Sequence, residues 1–283
     1  MKTVKAEVSD MGFQGILYPV NEQKDKVVIT LSGSEGGIQH AKKMACFHNS
    51  QGMSALAIAY FGTKKTKQAL SKVPIEYIEN AIKWLMQQGY KRIAIEGISK
   101  GAEYALAAAT IFQEISSVIL KTPTWYYGEG LIRKAPSNTS CWTYQGEELP
   151  YTPYKERVFD IKRNILQTRE YNILSINTGK KVVEPSIIQI EKVNGPVLIF
   201  STKADTVWPS AESGEKLNLR LRQSNFPYPH KHICFTYMSH IMLENANSFV
   251  RLLFKSEKEH PKECAEERKL MGQEVKDWLQ NVW

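Results

Sequence analysis

Cysteine is scarce in this chain. Cys46, Cys141, Cys234 and Cys264 are the only four in 283 residues, widely separated and with no C-x-x-C pair. That spacing excludes a compact zinc ligand set and a disulfide-dense scaffold, and it leaves free thiols in a reducing compartment as the expectation. Long apolar runs are missing too: no stretch approaches the roughly 18 apolar residues of a membrane-crossing helix. Met1 to Val20 mixes charges with single apolar residues, so no secretory leader is read there. These absences set the expectation of a cytoplasmic protein with no membrane partner. No basic run interleaved with aromatics occurs, so the net charge of +8 does not mark a nucleic-acid site. It reads as a lysine-rich solvated surface with some attraction for anions such as phosphates. No internal repeat and no low-complexity segment is found.

What is present is a rhythm of strand and helix. At 42% hydrophobic and 23% charged residues, the composition suits a packed core, and the length suits one α/β domain spanning 1–283. Val4 to Val20 reads as an opening hairpin or edge strands. Val27 to Leu31 is a β-branched strand that empties into Ser32-Gly33-Ser34-Glu35-Gly36-Gly37. A helix follows over Ile38 to Gln51, then an apolar strand over Ala55 to Phe61. Ile75 to Gln88 carries Ile75, Ile78, Ile82, Leu85 and Met86 at helical spacing. Ile93 to Ile95 and Ser117 to Leu120 are strands on either side of a helix-prone run, Ala102 to Ile111. Later come a strand at Pro196 to Ser201, a helix at Ala211 to Arg222, a last strand at His232 to Tyr237 and an amphipathic helix from Cys264 to Trp283. Its apolar stripe is Met271, Val275, Leu279 and Val282. Such alternation predicts a mostly parallel central sheet with helices on both faces. Residues 123–195 break the rhythm after the sixth strand, with many aromatics and only Val158 to Ile165 helical in pattern. Two readings stay open for this insertion: a lid or substrate wall over the sheet's edge, or surface loops whose aromatics pack down on the core.

The chain is organised around Gly97-Ile98-Ser99-Lys100-Gly101, a G-x-S-x-G pattern with a strand before it and a helix after it. That is the nucleophile-elbow arrangement: a serine on a tight turn, with glycines where a Cβ would clash. A serine so placed needs a base, and the base needs an acid to hold its tautomer. In doubly wound hydrolases the order along the chain is Ser, acid, His. Asp205 and His240 each follow a strand in that order, at the strand ends where open α/β sheets build their sites. His40, His48, His230, His232 and His260 are weaker candidates for the base, and Glu215, inside a helix, is the weaker acid. Two backbone N–H groups would receive a developing oxyanion: Lys100, next to the nucleophile, and Ser34, with Glu35 as second choice. No metal or organic cofactor is called for. Glu96 stands where an apolar residue is expected, and either pairing with Lys100 or reaching the rim would explain it.

The Leu31–Gly37 loop, Ala57-Ile58-Ala59-Tyr60-Phe61 and Gly97–Glu103 resemble the catalytic domain of acyl-CoA thioesterases related to bile acid-CoA:amino acid N-acyltransferase. Asp205-x-x-Trp208-Pro209-Ser210 and Ser239-His240 resemble that family's acid and base segments. The resemblance runs from about Val27 to the C-terminus. It implies an α/β-hydrolase fold, a Ser99–Asp205–His240 triad and thioester substrates of coenzyme A. It also implies water as the acyl acceptor, because the amino-acid-transferring relatives carry cysteine where this chain has Ser99. Three departures stand out: a short N-terminal stretch where animal members carry a β-sandwich domain, Ala204 before a single aspartate where the family pairs two, and Glu96. Other readings are a carboxylesterase or peptidase on a small ester or amide, an acyltransferase to an amine, and a hydrolase-like scaffold without turnover. Oligomeric state is not legible.

Overall fold

The computed structural model describes residues 3–20, 25–132, 137–154, 182–244 and 253–283. The strands are β1 (Val4–Ala6), β2 (Gln14–Tyr18), β3 (Lys26–Leu31), β4 (Ser54–Ala59), β5 (Val73–Pro74), β6 (Arg92–Ile98), β7 (Ile115–Lys121), β8 (Trp142–Tyr144), β9 (Glu147–Glu148), β10 (Val197–Thr202) and β11 (His230–Phe235). Eight of them form one sheet in the order β1-β2-β4-β3-β6-β7-β10-β11. The β1–β2 and β2–β4 pairs are antiparallel and every later pair is parallel. The opening hairpin is therefore present, with the one-turn helix α1 (Val8–Met11) between its strands. Beyond it the chain crosses repeatedly through α2 (Gln39–Ser50), α3 (Glu76–Gln87), α4 (Lys100–Ile111) and α5 (Ser210–Gln223), and it ends in α6 (Lys255–Glu259) and α7 (Pro261–Asp277).

The central strands are buried on both faces, so their sequences read as continuous apolar runs and not as alternating ones. The period of two still decides what each residue touches. Val27, Ile29 and Leu31, Ile93 and Ile95, Val118 and Leu120, and Val197 and Ile199 pack in one cluster with α3, α4 and α5. Val28, Ala94, Ile98, Ile119, Leu198 and Phe200 face the other way, onto Met44 of α2 and Met271, Val275 and Trp278 at the C-terminus. Alanines at 102, 105, 107, 108 and 109 let α4 lie close on the sheet, all of them fully buried.

Several expectations need correction. On α3 the inward stripe includes Trp84, while Met86 is exposed. The last strand starts at His230 and ends at Phe235, because from Thr236 onward the backbone N–H groups go to Glu267 of α7. The C-terminal helix begins at Pro261, a residue whose missing N–H suits a first helical turn. It closes in a π-turn over Trp278–Val282 that brings Trp278 and Trp283 inward and leaves Val282 exposed. A second sheet, β5-β8-β9, was not foreseen. It joins the described part of 123–195 to the start of α3. The expected helix at Val158 to Ile165 lies outside the described residues. Among the described residues no helix is long and apolar enough to cross a membrane.

Candidate active site

Ser99 sits between β6 and α4 with φ 58° and ψ −124°, a conformation that non-glycine residues rarely adopt. Its flanking glycines permit the turn. A Cβ on Gly97 would lie 2.1 Å from the Gly101 carbonyl oxygen, and one on Gly101 would lie 2.0 Å from the Ser32 carbonyl oxygen. The motif is thus a steric requirement of a helix pressed against two strand ends. The Ser99 N–H donates to the Lys121 carbonyl at 2.9 Å, which fastens the elbow to the neighbouring strand.

The structure brings Ser99, Asp205 and His240 together. Ser99 Oγ lies 2.9 Å from His240 Nε2, and His240 Nδ1 lies 2.8 Å from Asp205 Oδ2. A carboxylate only accepts, so Nδ1 carries the proton and Nε2 of the neutral ring is left to accept from the serine. All three residues are buried. Asp205 is itself oriented: its Oδ1 accepts the N–H groups of Val207 at 2.9 Å and Trp208 at 3.1 Å. The Trp208 ring meets the imidazole edge-on at 4.8 Å, and its indole N–H donates to the Thr122 carbonyl at 3.0 Å. Thr122 Oγ1 in turn donates to the His240 carbonyl at 3.3 Å. Lys121 and Thr122, at the end of β7, therefore touch the segments of all three residues. Neither residue carries a motif that marks it in the sequence.

The competing residues lie elsewhere. His232 Nε2 is 2.7 Å from Ser201 Oγ, between β10 and β11, and Glu215 is exposed on α5. His40 pairs with Glu35 at 2.8 Å. His48 is buried on α2 and pairs with Glu96. Glu96 neither reaches the rim nor meets Lys100. It shares the α2 face with Ala94 and Ile98, so its carboxylate meets His48 and, at 2.5 Å, the Lys121 ammonium. Lys121 also pairs with Glu244, four residues past His240. Burial acts to raise the Glu96 carboxyl, but Lys121 and His48 prevail and lower it to about 2.

On the opposite face of the sheet, Lys100 pairs with Glu103 at 2.7 Å, both fully buried. Glu103 also accepts from Thr124 Oγ1 at 3.0 Å, the Gly128 N–H at 2.9 Å and Trp142 Nε1 at 2.8 Å. One carboxylate on the elbow helix thus gathers the described part of 123–195. Beside Ser99 runs the loop after β3: a Cβ on Gly33 would lie 3.2 Å from the serine Cβ. The buried Tyr60 hydroxyl donates to the Ser32 and Gly33 carbonyls at 2.8 and 3.0 Å.

The chain resembles proteins of known kind. It is 24% identical over 201 residues to acyl-coenzyme A amino acid N-acyltransferase 1 of Mus musculus, covering 69% of this chain and 44% of that protein. It is 27% identical over 188 residues to acyl-coenzyme A thioesterase 6 of Mus musculus, covering 65% of this chain and 41% of that protein. The chain therefore spans less than half the length of these two relatives. Among solved structures, the α/β-hydrolase enzyme MGS-M1 from a Medee basin deep-sea metagenome library superposes over 100% of this chain and 98% of its own, with a TM-score of 0.61 at 16% identity. An esterase of Pyrococcus furiosus superposes over 97% of this chain and 95% of its own, with a TM-score of 0.57 at 15% identity. The fold is the α/β-hydrolase fold. The family described as BAAT / acyl-CoA thioester hydrolase C terminal matches residues 73–244, a span that includes Ser99, Asp205 and His240. A match over more than half of the chain shows that it belongs to that hydrolase family.

Proposed function

We propose that this chain is a serine hydrolase that cleaves acyl-CoA thioesters to a free acid and coenzyme A through an acyl-enzyme on Ser99. The observation that carries the reading is the continuous relay from Ser99 Oγ through His240 to Asp205, at 2.9 and 2.8 Å. His240 Nε2 takes the hydroxyl proton as Oγ attacks the thioester carbonyl, and Asp205 stabilises the imidazolium. The tetrahedral intermediate collapses, the C–S bond breaks, and His240 returns the proton to the departing thiolate. Water then enters: His240 removes its proton, the hydroxide attacks the acyl carbonyl, and the proton goes back to Ser99 Oγ as the acid leaves.

The oxyanion of each tetrahedral step falls to the N–H groups of Lys100 and Ser34. Lys100 begins α4, so the positive end of the helix dipole adds to its N–H. The Ser34 N–H belongs to the peptide whose carbonyl Tyr60 holds. The carbonyl and N–H of a trans peptide point in opposite directions, so that bond aims the N–H away from Tyr60. The described part of 123–195 supplies a wall of the acyl site, since Glu103 ties Thr124, Gly128 and Trp142 to the elbow helix. A serine nucleophile favours water over an amine as acceptor.

The test is loss of thioester absorbance with a panel of acyl-CoAs, alongside short p-nitrophenyl esters, for the wild type and Ser99→Ala. The substituted chain is expected to lose turnover by about 10³-fold or more and to stop reacting with a fluorophosphonate probe. Undiminished turnover or labelling in Ser99→Ala refutes the assignment. Turnover of the esters alone moves the substrate class to carboxylic esters.

A further inference from the structure

His240 stands outside regular structure, five residues past the end of β11, yet the backbone leading to it is held by side chains of the two C-terminal helices. The four N–H groups that precede it go to two carboxylates. Glu267 of α7 accepts from Thr236 at 2.9 Å, from Tyr237 at 3.2 and 3.0 Å on its two oxygens, and from Met238 at 2.6 Å. Glu257 of α6 accepts the Ser239 N–H at 3.0 Å and the Ser239 hydroxyl at 2.6 Å. Arg268, next to Glu267 on α7, donates to Glu257 through both terminal nitrogens, one at 2.9 Å, and to the Ile241 carbonyl just after the histidine at 3.2 Å. Cys264 Sγ adds a contact to the Tyr237 carbonyl at 3.2 Å. Glu257 and Arg268 are buried at 3% and 8% exposure, so these bonds are not exchanged freely with water. Burial acts to raise the Glu257 carboxyl, but Arg268 and Ser239 prevail and lower it, which keeps it an acceptor.

We propose that Glu267, Glu257 and Arg268 are positioning residues for His240: the two C-terminal helices hold the loop on both sides of the imidazole and set its Nδ1 on Asp205 and its Nε2 on Ser99. The proposal rests on the reading of His240 as the base. A loop without sheet or helix bonds of its own depends on such contacts to hold a ring to the few tenths of an ångström that proton transfer requires. Trp208 and Thr122 touch His240 itself, whereas these three residues fix the backbone on either side of it. The two charges on α7 act from opposite ends. Glu267 gathers N–H groups on the approach, and Arg268 grips the exit through Ile241 and fixes Glu257. Nothing in this arrangement touches the reacting atoms, so its loss should alter the chemical step and leave substrate binding in place.

The test uses the full chain. In wild type, the low-field proton resonance of the His240 Nδ1–H bonded to Asp205 is assigned by its disappearance in His240→Ala. Glu267→Gln keeps the volume but has one accepting oxygen where the glutamate has two. Glu267 is half-buried, so the substitution is expected to leave the fold intact. The resonance should broaden or shift, kcat should fall about tenfold, and KM should stay within about twofold. Glu267→Asp, which retains both oxygens, should recover part of the loss, and it is read in the same way if Glu267→Gln does not accumulate as folded protein. An unmoved resonance with unchanged kcat overturns the proposal, as does a lowered melting midpoint with kcat per titrated serine intact. If the wild type turns over no thioester or ester, the functional reading fails, and the resonance comparison still decides whether these residues hold the ring.

Discussion

Replacing Lys121 by methionine removes the ammonium shared by two buried carboxylates. Lys121 lies between Glu96, at 2.5 Å, and Glu244, and neither carboxylate exceeds 7% side-chain exposure. Methionine fills a similar volume, so the change isolates charge from packing. Glu96 would keep only His48 and Glu244 would lose its partnering ammonium, and breaking a buried pair in this way costs about 3–5 kcal/mol. With an unfolding entropy of about 2.1 cal/mol/K per residue, that cost lowers the melting midpoint of a chain of this length by about 5–8 °C. The pH dependence fixes the cause. In wild type the Glu96 carboxyl is lowered from 4.5 to about 2, a depressed carboxylate whose contribution is complete above pH 4.5 and is lost as pH falls toward 2. The difference between wild type and Lys121→Met should therefore be greatest near neutrality and shrink on acidification through that window. Thermal unfolding followed by circular dichroism at a series of pH values measures it. A midpoint lowered by less than about 2 °C near neutrality, or a difference that widens as pH falls, would show that Lys121 does not hold these carboxylates ionised.

Three further outcomes follow from the geometry. Tyr60→Phe removes one oxygen atom and frees the Gly33 carbonyl. The Ser32 carbonyl loses the same donor. The change should lower kcat for an acyl thioester about tenfold with KM within about twofold, because the Ser34 N–H loses the bond that aims it; unchanged kcat would exclude Ser34 as a donor aimed by this tyrosine. Gly101→Ala places a methyl 2.0 Å from the Ser32 carbonyl oxygen. It should destabilise the chain by about 3 kcal/mol or more and abolish fluorophosphonate labelling, and a variant of normal stability would contradict that contact. Of the thiols, Cys46 and Cys234 are exposed, whereas Cys141 and Cys264 are buried and burial pushes both up to about 12. An aromatic disulfide reagent should titrate two thiols in the folded protein and four after denaturation.

The parts of this structure that were legible in the sequence are those whose cause is local. Gly97-x-Ser99-x-Gly101 could be read because the steric demand of the turn falls on the residues that make it. Asp205 and His240 could be placed because each follows a strand, and strand ends of a parallel sheet share one edge. What escaped was long-range. The strand β5 is two residues long and pairs with β8, some seventy positions on, so neither shows a period. Glu96 looked like an anomaly in an apolar strand because its cation sits on the adjacent strand, where Lys121 looked like a strand end. Taken together, two opposite charges embedded in neighbouring apolar strands were the available signal. Thr236 to Ser239 carry no mark of Glu267 and Glu257, since backbone N–H groups have no sequence signature.

The charges around the elbow fall on both faces of the sheet, and each set answers the same physical problem. His240 is 141 residues from Ser99 along the chain and 35 from Asp205. Apolar packing brings such segments into proximity, but it is non-directional and fixes no atom to a hydrogen-bond distance. A buried ion pair contributes little net stability, because desolvation offsets its attraction, yet its geometry is specific and its disruption is costly. On the α4 face Glu103 draws Thr124, Gly128 and Trp142 onto the helix that starts beside Ser99. On the α2 face Lys121 joins Glu96 of β6 to Glu244 beyond His240, while its own carbonyl takes the Ser99 N–H. On that second face too, Glu267 and Arg268 hold the approach to His240 and its exit. Charge is placed where chain segments distant in sequence must meet at fixed atoms, and apolar side chains fill the rest. An apolar replacement of these charged sets is therefore expected to preserve the sheet and to loosen the relay at Ser99.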